Sequence, residues 1–313
     1  MLKLISRRAM LALTMILIAS ALTFSIIAVA PGNVAALIAE RTAGPAASAA
    51  LVKKIADDLG LNDPLPVRYG NWLASALTGD LGDSLKTGKS IAQEFSERIP
   101  ITGILLLGGG IIAFFTSLGV GLAGAISNGG IIDKILRAFS LIGASTPNFF
   151  VAALLVILFS VTLGWLPTFG SAGFLSWILP CVTISMFPGS VLSRVVRVNL
   201  QEIMSRPFAT TGFAKGYTRS GVLFNEAMPN IAVPYLTVFG AQFTLMIIGS
   251  IVVESVFALK GIGSFFIEAI RFRDFISMQA ILLLFIVFFV FVNLLVDVIC
   301  LFIDPRIRRQ GHA

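Results

Sequence analysis

The sequence predicts an all-α polytopic membrane protein with six transmembrane helices. Three observations carry that expectation. Of its residues, 57% are hydrophobic and only 12% charged. Soluble domains run nearer 25% charged, so much of this apolar surface must face something other than water. Apolar runs of about 20 residues, the length that crosses a hydrocarbon core of ~30 Å, recur along the chain. Finally, the formal charge of +7 sits beside those runs instead of forming one extended patch. That is the pattern of membrane topology and argues against nucleic-acid binding.

In chain order, Lys3, Arg7 and Arg8 precede an apolar run from about Ala9 to Ala30. Its length of about 22 residues exceeds a signal-peptide core and predicts an uncleaved first span, closed by Pro31-Gly32-Asn33. Residues 31–99 are mixed, with seven basic and eight acidic side chains. They read as an extracytoplasmic region of short helices and loops. Gly88-Lys89-Ser90 lacks the rest of a phosphate loop, since Asp83 stands where the leading glycine belongs and no apolar strand precedes it. No ATPase site is expected in this chain.

Residues 100–302 read as a five-helix core. Ile101–Ser127 is apolar and rich in glycine, which lets helices approach closely in lipid. Ile135–Val161 is the third span, with Pro147 and Asn148 at its middle, where the proline predicts a kink turned toward protein or a cavity. Trp165 and Trp177 suit interfacial anchors around an uncharged loop. Ile178–Val196, Val233–Phe257 and Ala280–Phe302 supply the remaining spans, and residues 303–313 form a basic tail.

Charge tests this topology. Residues 1–8, 128–137, 194–232 and 303–313 hold 13 basic and 4 acidic side chains, whereas the segments assigned to the other side hold 10 of each. The bias supports six spans, with both termini of this multi-pass protein in the cytoplasm.

The polar, basic stretch Phe208–Asn230 interrupts the apolar segments. Within this cytoplasmic loop, residues 198–232, a break at Pro207, a short helix, a turn at Gly216 and a second short helix are expected. Val222, Leu223, Phe224, Ala227 and Met228 form an apolar ridge at roughly helical spacing, edged by Lys215, Arg219 and Glu226. Such a helix fits a groove on a partner protein. Composition alone also allows a loop lying on lipid headgroups through Lys215 and Arg219.

Cys181 and Cys300 lie in apolar surroundings and the sole histidine is His312, so neither a disulfide framework nor a metal cluster is expected. Glu254, near the end of a span, is costly unless paired or wet; it could order the Glu254–Gly263 segment, line a cavity or bind a cationic substrate. Asp297 suits a helix-packing partner.

In order, the chain carries Leu22–Phe24 (LTF), LGLNDPLPVRY from Leu59, GDLGDS from Gly79, GWLPTFG from Gly164, GSIVVESVFALKGIGS from Gly249 and DPRIRR from Asp304. With these motifs it resembles, over essentially its full length, the B-type permease of the dipeptide, oligopeptide and nickel family of ATP-binding-cassette importers. Ala209, Ala214, Gly216, Asn225 and Ala227 match that family's coupling motif. Thr211-Gly212, Pro229 and Lys260 depart from its usual residues. The resemblance implies a type I importer permease fold in a bacterial inner membrane, and a coupling role for 209–228 in which the Val222–Met228 ridge fills a groove on an ATPase. It also implies a C-type second permease subunit, two ATP-binding subunits that hold ATP and Mg, and an extracytoplasmic solute-binding protein. No cofactor is implied in this chain. Pro147, Asn148, Glu254 and Phe257 are its candidate gating or pathway residues. For Glu254 the resemblance favours a structural or gating role. Dipeptides or oligopeptides are the expected cargo, with nickel or a metal chelate as the alternative. An autonomous channel or scaffold would need no ATPase-docking loop.

Overall fold

Apolar composition translates into helix length. In the computed structural model, which describes residues 2–29, 34–44, 48–58, 60–127, 129–170 and 173–303, five helices are long and apolar enough to cross a membrane. They are α1 (Leu2–Val29), α5 (Ile91–Ser127), α8 (Leu175–Met204), α11 (Met228–Val256) and α13 (Phe275–Ile303). Shorter helices occupy the predicted mixed region: α2 (Val34–Ala43), α3 (Ala49–Asp58) and α4 (Leu65–Leu77). The expected helix exit at Pro31-Gly32-Asn33 and the tail from Asp304 lie outside the described residues.

The predicted third span is two helices and not one kinked helix. α6 (Ile131–Ser145) and α7 (Asn148–Leu155, continued as a π-helical stretch to Thr162) meet at 112°. Between them Thr146 and Pro147 are extended, with ψ of 126° and 143°. Pro147 has no amide to donate, and its ring disfavours helical geometry at the preceding residue. Yet Pro100, Pro180, Pro188 and Pro234 all sit inside unbroken helices. Proline permits the break, and the packing of both α6 and α7 onto α8 uses it.

Other boundaries move outward. α5 starts ten residues before the predicted Ile101, and α8 continues past Val196 to Met204, because helical hydrogen bonding does not stop where hydropathy does.

The chain divides into two compact units. The first comprises Met1–Ala9, Pro100–Ser264 and Phe291–Ala313. Its core is built around Leu192, Val196, Leu200, Leu223, Ile231 and Tyr235. The glycines of α5 let α8 approach: a Cβ at Gly108 would lie 2.7 Å from Cys181 Sγ, and one at Gly121 would lie 2.6 Å from Val196. Arg8 and Asp297 form an ion pair at 2.5 Å, which supports the helix-packing role expected of Asp297.

The second unit comprises Met10–Ile99 and Phe265–Val290. Asp274, fully buried, accepts hydrogen bonds from Ser84 and Ser277, both at 2.7 Å. Arg98 pairs with buried Glu94 and lies over the Phe265 ring. Tyr69, Trp72 and Phe24 form an aromatic cluster in which Phe24 meets Tyr69 edge to face, and Tyr69 also meets Ser20 at 2.8 Å.

Candidate functional site

Three arrangements in the first unit bear on function. The first is the loop after α8. Pro207 begins α9 (Pro207–Ala214), a position where its missing amide costs nothing. Gly216 has φ of +84°, which L side chains rarely adopt, and nothing lies within 4 Å of a Cβ built there. Its requirement is therefore conformational and not steric. Thr218 accepts a hydrogen bond from the Gly221 amide, and α10 (Arg219–Val222) then runs through a π-helical stretch (Leu223–Ala227) directly into α11. The expected helix, turn and second helix are present.

The apolar ridge, however, turns inward. Val222, Leu223 and Ala227 are fully buried, and Met228 packs against the same core, among Leu192, Val196 and Leu200. Ala209 is buried too. A groove on a partner therefore cannot receive that ridge. The predicted insertion does not hold for Val222, Leu223 and Ala227, because burial within the chain's own core already satisfies those side chains. What the loop exposes is Ala214, Lys215, Gly216, Tyr217, Phe224 and Asn225, with Phe224 53% exposed. The side chains of Arg219 and Glu226 lie outside the described residues. Gly212, a departure from the family pattern, has a reason here: a Cβ would press to 3.0 Å from Val222.

The second arrangement surrounds Glu254. Its side chain is fully buried, and its hydrogen-bond donors are neutral. Thr102 donates to Oε1 at 2.7 Å, and the Ser264 amide donates to Oε2 at 2.8 Å. Thr102 in turn accepts the Ile262 amide. The intervening segment folds back so tightly that a Cβ at Gly261 would lie 2.5 Å from Glu254, and one at Gly263 would lie 2.7 Å from the Ile251 backbone. Phe257, 1% exposed, accepts at its carbonyl the amide of Gly170. Glu254 thus orders the connection that follows α11.

The third is a cavity of about 380 Å³ lined by α7, α8 and α11. Of the four candidate gating or pathway residues, Pro147 and Asn148 line it and Glu254 and Phe257 do not. Ile184, Phe187, Gln242 and Met246 also contribute. Gln242 was missed by sequence reasoning, although a lone amide within the apolar run Val233–Phe257 was visible. Asp133 and Arg197 were missed as a pair as well. Asp133, fully buried in the first turn of α6, receives Nε of Arg197 at 2.5 Å and Nη2 at 2.9 Å. The Gly129 amide adds a third donor.

A bent helix pair and a two-helix loop between long apolar helices are features that several families of helical membrane protein could share. Comparison with known families decides which. The model described as binding-protein-dependent transport system inner membrane component matches residues 116–309, and the corresponding N-terminal model matches residues 1–105. The chain belongs to this family.

Among its relatives, the probable peptide ABC transporter permease protein y4tP of Sinorhizobium fredii is 37% identical, covering 91% of this chain and 92% of the relative. The glutathione transport system permease protein GsiC of Pectobacterium atrosepticum is 34% identical, covering 94% of each. A chain of the inward-facing methionine ABC transporter MetNI superposes with a TM-score of 0.56 at 16% identity, covering 67% of this chain and 96% of that one. This last likeness establishes the fold. The permease is thus a multi-pass inner membrane transport component and not itself the ATPase. Membership implies a binding protein, ATP-binding subunits and a second permease subunit as its companions.

Proposed function

We propose that this permease carries short peptides across the inner membrane, as one half of a pair with a C-type permease. Two ATP-binding subunits, holding ATP and Mg, power the pair, and an extracytoplasmic binding protein delivers the cargo. The observation that carries the reading is near full-length similarity to a relative named for peptide transport. Glutathione, named for a second relative, is chemically a tripeptide. These names favour peptides over nickel or metal chelates.

The exposed face of the loop, from Ala214 through Lys215 and Gly216 to Phe224 and Asn225, is the contact that receives ATPase motion. Because α10 runs without interruption into α11, a push on that face moves a membrane helix directly. The excess of basic residues in the loop and at the chain's start orients both toward the cytoplasm.

Transport is tested by uptake of radiolabelled dialanine and trialanine, and of nickel, into vesicles holding the assembled transporter and its binding protein. Peptide accumulation is expected, and nickel uptake without peptide uptake would reverse the assignment. Orientation is tested by side-specific labelling of Lys215, where reaction from outside the cell contradicts the loop's role. For Gly216→Asp, the backbone strain predicts weakened ATPase assembly and at least a fivefold loss of binding-protein-stimulated ATP hydrolysis, with the membrane helices retained. Full activity in the purified Gly216→Asp complex would rule out the compact turn as a requirement.

A further inference from the structure

The cavity between α7, α8 and α11 is walled almost wholly by apolar side chains, among them Phe149, Ile184, Phe187 and Met246, and among the described residues no ionisable one lines it. Its only carboxamides among those residues are Asn148 and Gln242. Gln242 Oε1 is buried with no hydrogen-bond partner. A buried carbonyl left unpaired is costly, and native structures rarely keep one without use. Gln242 is itself one of the residues lining the cavity, so rotation about its terminal carboxamide bond can turn that carbonyl toward the cavity. Asn148 stands at the first turn of α7, directly after the break at Pro147. Facing it, Gly249 leaves room that a Cβ would take, since one built there would lie 3.0 Å from Asn148 Nδ2.

We propose that Asn148 and Gln242 form a peptide-amide contact site, at which Asn148 donates to a backbone carbonyl of the passing peptide and Gln242 accepts from a backbone N–H. This rests on the peptide reading above. A carboxamide carries the same donor and acceptor complement as a peptide bond. Two of them read the part that all peptides share, while apolar walls accept differing side chains. The volume is in the range of small-molecule sites. The absence of lining charge suits a pathway, where a contact must be strong enough to admit cargo and weak enough to release it.

The test uses the assembled transporter in vesicles, with binding protein, ATP and trialanine. Trialanine with one amide replaced by an ester, which lacks that N–H, serves as the comparison probe. The double variant Asn148→Leu with Gln242→Leu is expected to lower trialanine uptake about tenfold and to lose the preference for amide over ester. Gln242→Asn should recover part of the preference. Unchanged uptake together with unchanged preference overturns the site while leaving peptide transport intact. If the native transporter moves no peptide at all, the peptide reading itself fails. A second measurement stands apart from folding of the double variant: a benzophenone side chain placed at position 149 of the otherwise native transporter. Crosslinking to trialanine supports the site. Crosslinking only to the second permease subunit overturns it, because the cavity is then a subunit contact.

Discussion

Asp133 and Glu254 are both fully buried carboxylates in the same compact unit, and they are held in opposite ways. Asp133 meets a bidentate guanidinium from Arg197, whereas Glu254 meets a threonine hydroxyl and a backbone amide. They lie toward opposite ends of α5: Thr102 touches Glu254, and a Cβ at Gly124 would lie 3.3 Å from Asp133. At 1.5 Å per residue, those two positions are roughly 33 Å apart, about a hydrocarbon thickness. The end near Asp133 is rich in arginine and lysine, so a counter-charge is at hand. At the other end the protein instead folds its own chain back to supply neutral donors. One carboxylate therefore ties helix to helix by charge, while the other shapes a connection by hydrogen bonding.

The largest effect that would break this contrast is expected from Arg197→Leu. It removes the bidentate partner of a buried carboxylate and leaves Arg137 at 3.6 Å and the Gly129 amide, so a loss approaching the roughly 3–5 kcal/mol of a broken buried pair is expected. Thermal inactivation of the detergent-purified complex should show it, and Asp133→Leu added to Arg197→Leu should restore most of the loss. A double variant no more stable than the single one would mean that the pair's charge is not what holds α6 to α8. Thr102→Val comes next, because it removes one donor to Glu254 and one acceptor for Ile262, at a cost of about 1–3 kcal/mol. Glu254→Gln should cost only about 1 kcal/mol, since the donors are neutral and size is kept. A drop as large as that of Arg197→Leu, in the same melting experiment, would show that Glu254 needs its charge after all. Smallest is Ala258→Gly. Ala258 has φ of +52° just past α11, so relief of its backbone strain should stabilise the complex by up to about 1 kcal/mol. A lower melting temperature would contradict that.

The loop illustrates how far sequence reasoning reaches. Pro207 and Gly216 announced a break and a turn through properties of their own backbones, and both stand where expected. The Val222–Met228 ridge was equally visible as a pattern, but periodicity shows only that one face is apolar and not what covers it. Here the chain's own α8 and α11 cover it, and Phe224 is left outside. Likewise Gly261 and Gly263 were legible as a motif, while their purpose depends on Glu254 and Ile251, which only folding brings within reach.

The sequence by itself determined the class of structure, the positions of the long apolar helices and the place of the polar loop. Each of these follows from local apolar length, charge bias and backbone chemistry. Only the tertiary structure decided that Pro147 breaks its helix while four other prolines do not, which carboxylate receives a cation, and that two carboxamides share one cavity. Those outcomes depend on what residues far apart in the chain bring to the same point, and no local pattern records that.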